Sequence, residues 1–145
     1  MNLTTMPSRK WSRSIPINVK LMGYLDKPAL EEFIKDARFI VMPSRCYEGF
    51  PITILDGAAF GKPTIGPDHG GFTEIIGKGA SEIEKLFKPN DIQDLEKTMV
   101  SLWNNPEEIQ ELGQKAFTKL QNEYSSEIVF KKWMNLFNEL KLSNK

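Results

Sequence analysis

Two carboxylates, Glu48 and Asp56, stand with seven residues between them and with Gly49-Phe50-Pro51 directly after the first. Glu48 follows the apolar run Phe39-Ile40-Val41-Met42. That run reads as a buried parallel strand, and open α/β sheets bind ligands just beyond the carboxyl ends of such strands. A carboxylate in that place suits sugar hydroxyls, through charge-assisted hydrogen bonds worth about 1.5–3 kcal/mol each. The same position equally describes a solvated loop glutamate. Gly49 lets backbone approach a ligand closely. Pro51 at a first helical position leaves the amides of Ile52 and Thr53 aimed outward, where a diphosphate fits the partial positive charge of a helix start. An ordinary helix start has the same residues. Asp56 falls one turn further, on the face of Ile52, and suits the vicinal hydroxyls of a ribose. A plain preference for acid near a helix N-terminus accounts for it as well. Gly70-Gly71 forms a second turn toward the same crevice. His69 beside it is the only histidine, read as a surface loop residue in preference to a catalytic base. With one histidine and one cysteine, and no ligand spacing at Asp68 or Glu74, no metal is expected. Cys46 reads as a small buried hydrophobe, not a nucleophile.

The elements that must hold these residues alternate. Val19–Leu25 reads as a short strand and turn, and Pro28 opens a helix to about Asp36 with Leu30, Phe33, Ile34 and Ala37 on one face. Phe39–Met42 is continuous and apolar, as for a strand covered on both faces. Pro51 to Phe60 is a helix closed by Gly61. Pro63–Gly66 is a further strand, Phe72–Ile76 a helical turn, and Leu86–Pro89 an edge strand, because proline removes a ladder donor. The alternation predicts an α/β fold: a Rossmann-like, partly parallel sheet with flanking helices. The last third is helical, with stripes at Leu95, Met99 and Leu102, at Ile109, Leu112, Ala116, Phe117 and Leu120, and at Val129, Trp133, Leu136, Phe137 and Leu140.

The 145 residues suit one domain with a real core. Residues 1–18, with Pro7 and Pro16, read as a linker or arm anchored at most by Trp11, and residues 19–145 as the folded body. Nineteen basic against 19 acidic residues give net charge +0, and pI ≈ 6.6. No broad field exists to attract nucleic acid. A lone cysteine suits a reducing compartment, and no apolar run reaches the roughly 18 residues a membrane helix needs. The expected location is cytoplasmic, free or peripheral to the inner face of the membrane.

Pro43, Ser44, Glu48, Gly49, Phe50, Ala59, Gly61, Pro63, Gly70, Gly71 and Glu74 together resemble the sugar-nucleotide site of retaining GT-B glycosyltransferases, the family that includes sucrose synthase and bacterial capsule enzymes. Gly23-Tyr24-Leu25 resembles the family's base-contacting turn, and Leu86–Asp91 its last strand and turn. The resemblance covers roughly residues 19–140. It implies that Glu48 contacts the donor sugar and steadies developing oxocarbenium charge, that the Ile52 and Thr53 amides meet the diphosphate or ribose, and that Asp56 holds the ribose hydroxyls. Gly23 and Tyr24 would frame the base, Ser44 would line the pocket, and Gly49 and Phe50 would shape the turn. Asp56 is one methylene shorter than the family's usual glutamate, and Pro51 replaces a common glycine.

The implied function is donor binding in transfer of a hexosyl unit from a nucleotide diphosphate sugar to a glycan or lipid-linked acceptor, with no cofactor beyond that donor. The resemblance also implies two further strands, the first with an arginine and a lysine for the diphosphate, and a preceding acceptor domain. Residues 1–18 do not supply them. The expectation is therefore an incomplete C-terminal domain, inactive alone, whose acceptor binds through the missing domain. Without those strands, the chain is expected to form a homodimer or to dock Val19–Met22 beside Phe39–Met42. The alternatives are a non-catalytic nucleotide-binding or protein-interaction remnant, and a sugar-nucleotide epimerase, which shares the fold but not the Glu-Gly-Phe spacing.

Overall fold

The computed structural model describes residues 16–77 and 85–143. Trp11 and most of the expected arm lie outside the described residues. Three parallel strands form one sheet in the order β1-β2-β3: β1 (Ile40–Val41), β2 (Thr64–Pro67) and β3 (Lys85–Phe87). Ile40 pairs with Thr64 and Val41 with Ile65, and Ile65, Gly66 and Pro67 pair with Lys85, Leu86 and Phe87. The helices are α1 (Lys27–Asp36), α2 (Ile52–Ala59), α3 (Gly70–Ile76), α4 (Ile92–Trp103), α5 (Pro106–Lys119) and α6 (Ser126–Ser143). A π-helical turn, Leu120–Tyr124, joins the last two.

Local signals explain the boundaries. Asp26 accepts a hydrogen bond from the Ala29 amide at the start of α1, Asp91 does so from Asp94 at α4, and Asn105 from Glu108 at α5. Gly61 follows α2 at φ +64°, a left-handed conformation that costs glycine little.

The sheet is covered on both faces. One side packs Ile54, Phe72, Ile75 and Ile76 with Met42, Leu55, Leu86 and Tyr124. The other packs Ile65, Phe87, Leu102 and Leu112 with Phe39, Val41, Leu95 and Ile109. α5 lies so close to the end of α2 that a Cβ on Gly113 would collide with the Gly61 carbonyl oxygen. Lys119 Nζ donates to the Ile75 carbonyl at 2.8 Å, tying α5 to the last turn of α3.

Three expectations need correction. Val19–Leu25 is not a strand. The Val19 amide instead donates to the Pro16 carbonyl in a turn, and Leu21 is 62% exposed. Val19–Met22 therefore does not pair beside Phe39–Met42, and among the described residues β1 pairs only with β2. Secondly, the strand covered on both faces is β2, whose four residues are all buried, while Ile40 and Val41 are half-buried. The reason is position: β2 lies centrally and β1 at the edge, so both β2 faces and both β2 ladders are occupied. Thirdly, Leu30 and Phe33 are exposed, and of the expected α1 stripe only Ile34 is buried. With no strand from Val19–Leu25 beneath it, α1 has little apolar surface to cover.

Candidate functional site

β1 and β2 both end at a cleft of about 510 Å³, lined by the loop Tyr47–Gly49 and by Asp68, His69, Gly70, Gly71, Thr73 and Glu74. Two loops meet there because glycine permits it. The Gly71 amide donates to the Glu48 carbonyl oxygen at 2.8 Å. A Cβ on Gly71 would strike the Gly49 carbonyl, and one on Gly70, which has φ +54°, would lie 2.8 Å from the Glu48 carbonyl oxygen. The second loop is itself braced. The Asp68 amide donates to the Phe87 carbonyl at 2.8 Å, and the Thr73 hydroxyl to Asp68 Oδ1 at 2.9 Å.

His69 is not a peripheral loop residue. Its ring stacks on Tyr47, centroids 5.3 Å apart and 15° from parallel, and meets the edge of buried Phe72 at 6.1 Å. Its Nδ1 is buried and has no hydrogen-bond partner among the described residues. Sequence spacing had given no sign of this, because the stacking partner lies 22 residues away in the other loop. Cys46, expected to be buried, is exposed. Its amide donates to Ser44 Oγ at 3.2 Å in a tight turn, which leaves its side chain outside the core.

Among the described residues the lining holds three carboxylates, Glu48, Asp68 and Glu74, and no lysine or arginine. Such a surface favours neutral polyols, whose hydroxyls donate to carboxylates, over anions. Cationic character lies instead at the start of α2. Pro51 caps that helix with no side-chain hydrogen bond, and the first-turn amides of Ile52 and Thr53 have no acceptor inside the helix. Phe50, 51% exposed, tilts against Tyr124 at 5.8 Å. Asp56 is exposed on α2. Among the described residues no group of three or more His, Cys, Asp or Glu converges on a metal-sized site.

The other expected site residues lie apart from this cleft. Ser44 lines a separate hollow of about 120 Å³ with Arg45, Asn90 and Asp91. Gly23, at φ +67°, has no atom within 4 Å of where a Cβ would stand, and Tyr24 is 93% exposed. No helix among the described residues is long and apolar enough to cross a membrane.

Comparison with known proteins bears on the family and the fold. Residues 4–119 match the family described as glycosyl transferases group 1. The chain is 29% identical to the O-antigen chain mannosyltransferase C of Escherichia coli over 124 residues, 85% of this chain and 33% of that one. Its fold superposes on Staphylococcus aureus TarM, solved as a variant with fondaparinux, α-GlcNAc-glycerol and UDP, with TM-score 0.72 and 27% identity over 91% of this chain and 25% of that chain. It also superposes on Anabaena HepE in complex with UDP-glucose, with TM-score 0.78 and 14% identity over 92% of this chain and 36% of that one; that likeness is one of fold. The chain thus spans about a quarter to a third of the length of the proteins it matches. The paired loops at the strand ends, the glycine contacts between them and the match over most of the sequence lead to one assignment: the chain belongs to the glycosyl transferases group 1 family, with the α/β architecture of GT-B enzymes.

Proposed function

We propose that this chain is the donor-binding part of a retaining glycosyltransferase that moves a hexosyl unit from a nucleotide diphosphate sugar to a glycan or lipid-linked acceptor. The observation that carries this reading is the division of charge around Glu48. The cleft it lines is carboxylate-rich and, among the described residues, without lysine or arginine. Four residues on, α2 begins with amides that lack acceptors inside the helix.

The sugar belongs in the cleft and the diphosphate at the helix start. Glu48 accepts hydrogen bonds from sugar hydroxyls and, as the bond to the leaving diphosphate lengthens, opposes the positive charge growing on the anomeric carbon. The Ile52 and Thr53 amides meet the departing phosphate oxygens, Gly49 and Phe50 fix the turn between the two, and Asp56 takes the ribose hydroxyls. Gly23 and Tyr24 frame the base, and Ser44 lines the nucleotide side from its own hollow. This division of labour calls for no metal ion. The relatives' solved complexes with UDP and UDP-glucose support a nucleotide sugar as ligand. The donor's chemistry carries with it a cytoplasmic location, free or at the inner membrane face. A binding domain without turnover is the second reading, favoured by the lack of lysine or arginine on the cleft among the described residues.

The test is calorimetric titration of UDP, GDP, UDP-glucose and GDP-mannose into the chain and into Glu48→Gln. Donor dissociation constants in the millimolar range, about −4 kcal/mol, are expected. Glu48→Gln should weaken the sugar nucleotides about tenfold, or about 1.4 kcal/mol, and leave the bare diphosphates unchanged. Equal losses for both ligand types would remove Glu48 from the sugar.

A further inference from the structure

We propose that His69 is a positioning residue for Glu48, acting through a ring clamp on Tyr47. The proposal rests on the reading of Glu48 as the sugar-binding carboxylate and adds a residue to it. The imidazole is held on two sides, by the parallel stack on Tyr47 at 5.3 Å and by the edge contact with Phe72 at 6.1 Å. Phe72 is fully buried, so it is the fixed wall of the pair. Tyr47 is 81% exposed, and among the described contacts the His69 ring is its aromatic anchor. Tyr47 is bonded directly to Glu48. A ring that holds Tyr47 therefore limits the rotation of the next peptide and the directions open to the Glu48 side chain.

The backbone beside the stack makes the coupling stiff. The Gly71 amide donates to the Glu48 carbonyl oxygen at 2.8 Å, and a Cβ on Gly70 would lie 3.2 Å from the Tyr47 ring. The loop carrying His69 thus grips the Glu48 loop twice, once at the Tyr47 ring and once at the Glu48 carbonyl. The buried Nδ1 has no hydrogen-bond partner among the described residues, and the contacts the ring makes with Tyr47 and Phe72 are those of stacking and shape. A ring of similar area should replace it. Stacked aromatic pairs restrict motion through contact area and quadrupole alignment, and a carboxylate held in place loses less entropy when it meets a ligand.

The test compares the chain with His69→Ala and His69→Phe. Amide hydrogen exchange of Gly71 in the ligand-free protein is the first readout. His69→Ala should speed it about tenfold or more while the amides of α5 keep their protection, and His69→Phe should restore it. The second readout is the ratio of UDP-glucose affinity to UDP affinity. His69→Ala should lower this ratio about fivefold with UDP affinity itself held, and His69→Phe should recover it. Unchanged Gly71 exchange in His69→Ala would overturn the clamp, whatever the ligands do. So would exchange that rises throughout α5, or a His69→Phe variant as loose as His69→Ala. Wild-type protein that binds neither ligand would instead refute the donor-site reading, while the exchange data still decide the clamp.

Discussion

Gly71 is the residue at which the two cleft loops touch, and it tolerates no side chain. A Cβ there would strike the Gly49 carbonyl and stand 2.9 Å from Pro51 Cδ. Gly71→Ala should destabilise the fold by about 1–3 kcal/mol through overpacking and break the hydrogen bond to the Glu48 carbonyl; chemical denaturation and the loss of Gly71 amide protection check this. Thr64 carries the opposite expectation. Its Oγ1 is buried and has no hydrogen-bond partner among the described residues. Thr64→Val replaces a desolvated hydroxyl with a methyl of similar shape and should raise stability by about 1 kcal/mol, seen as a higher urea midpoint; a lower midpoint would mean the hydroxyl has a partner. The sequence revealed Glu48 and the glycines because backbone geometry and strand ends follow local rules. It did not reveal the His69–Tyr47 stack or the exposure of Cys46, which depend on how two loops separated in the chain come together.

Among the elements, the π-helical turn Leu120–Tyr124 is the one that reaches back to the site, through the Phe50–Tyr124 contact. The Tyr124 phenol is pushed above its ordinary pKa, first by burial and then by the nearby charges of Glu123 and Glu74. The fold thus favours the neutral phenol. Its contribution is fully present below the unfolded value of about 10 and is lost as pH rises through the higher folded value. Stability curves should fall more steeply above about pH 10 for the wild type than for Tyr124→Phe, and superimposable curves would refute the assignment. Helices were largely legible, since Pro28 and Gly61 signal their own boundaries, while the Asp26 and Asp91 caps emerged only in the structure. Strands were less so. Val19–Leu25 has strand-like residues but no pairing partner, and the apolar run at Phe39–Met42 sits at a sheet edge. Both outcomes turn on neighbours that a local pattern does not contain.

At the scale of the whole molecule, α6 leaves a broad apolar surface. Trp133 and Phe137 stack at 5.8 Å yet remain 55% and 52% exposed, and Phe130 is 64% exposed. A homodimer is the expected consequence. Sedimentation velocity at micromolar concentration should show it, Trp133→Glu should shift it to monomer, and a clean wild-type monomer would contradict it. The chain alone should show no glycosyl transfer, because no lysine or arginine lines the cleft among the described residues and transfer needs both substrates held in line; turnover with UDP- or GDP-sugars would contradict that. The central claim is that a nucleotide sugar binds across the Glu48 cleft and the start of α2. The most direct test is a map of amide chemical-shift changes as UDP-glucose and GDP-mannose are titrated in. The account predicts saturable shifts concentrated at Glu48–Asp56 and Gly70–Thr73, with the sugar adding shifts at Glu48 and Gly71 beyond those of the bare diphosphate. Saturable shifts clustered elsewhere, or no difference between sugar nucleotide and diphosphate, would contradict it.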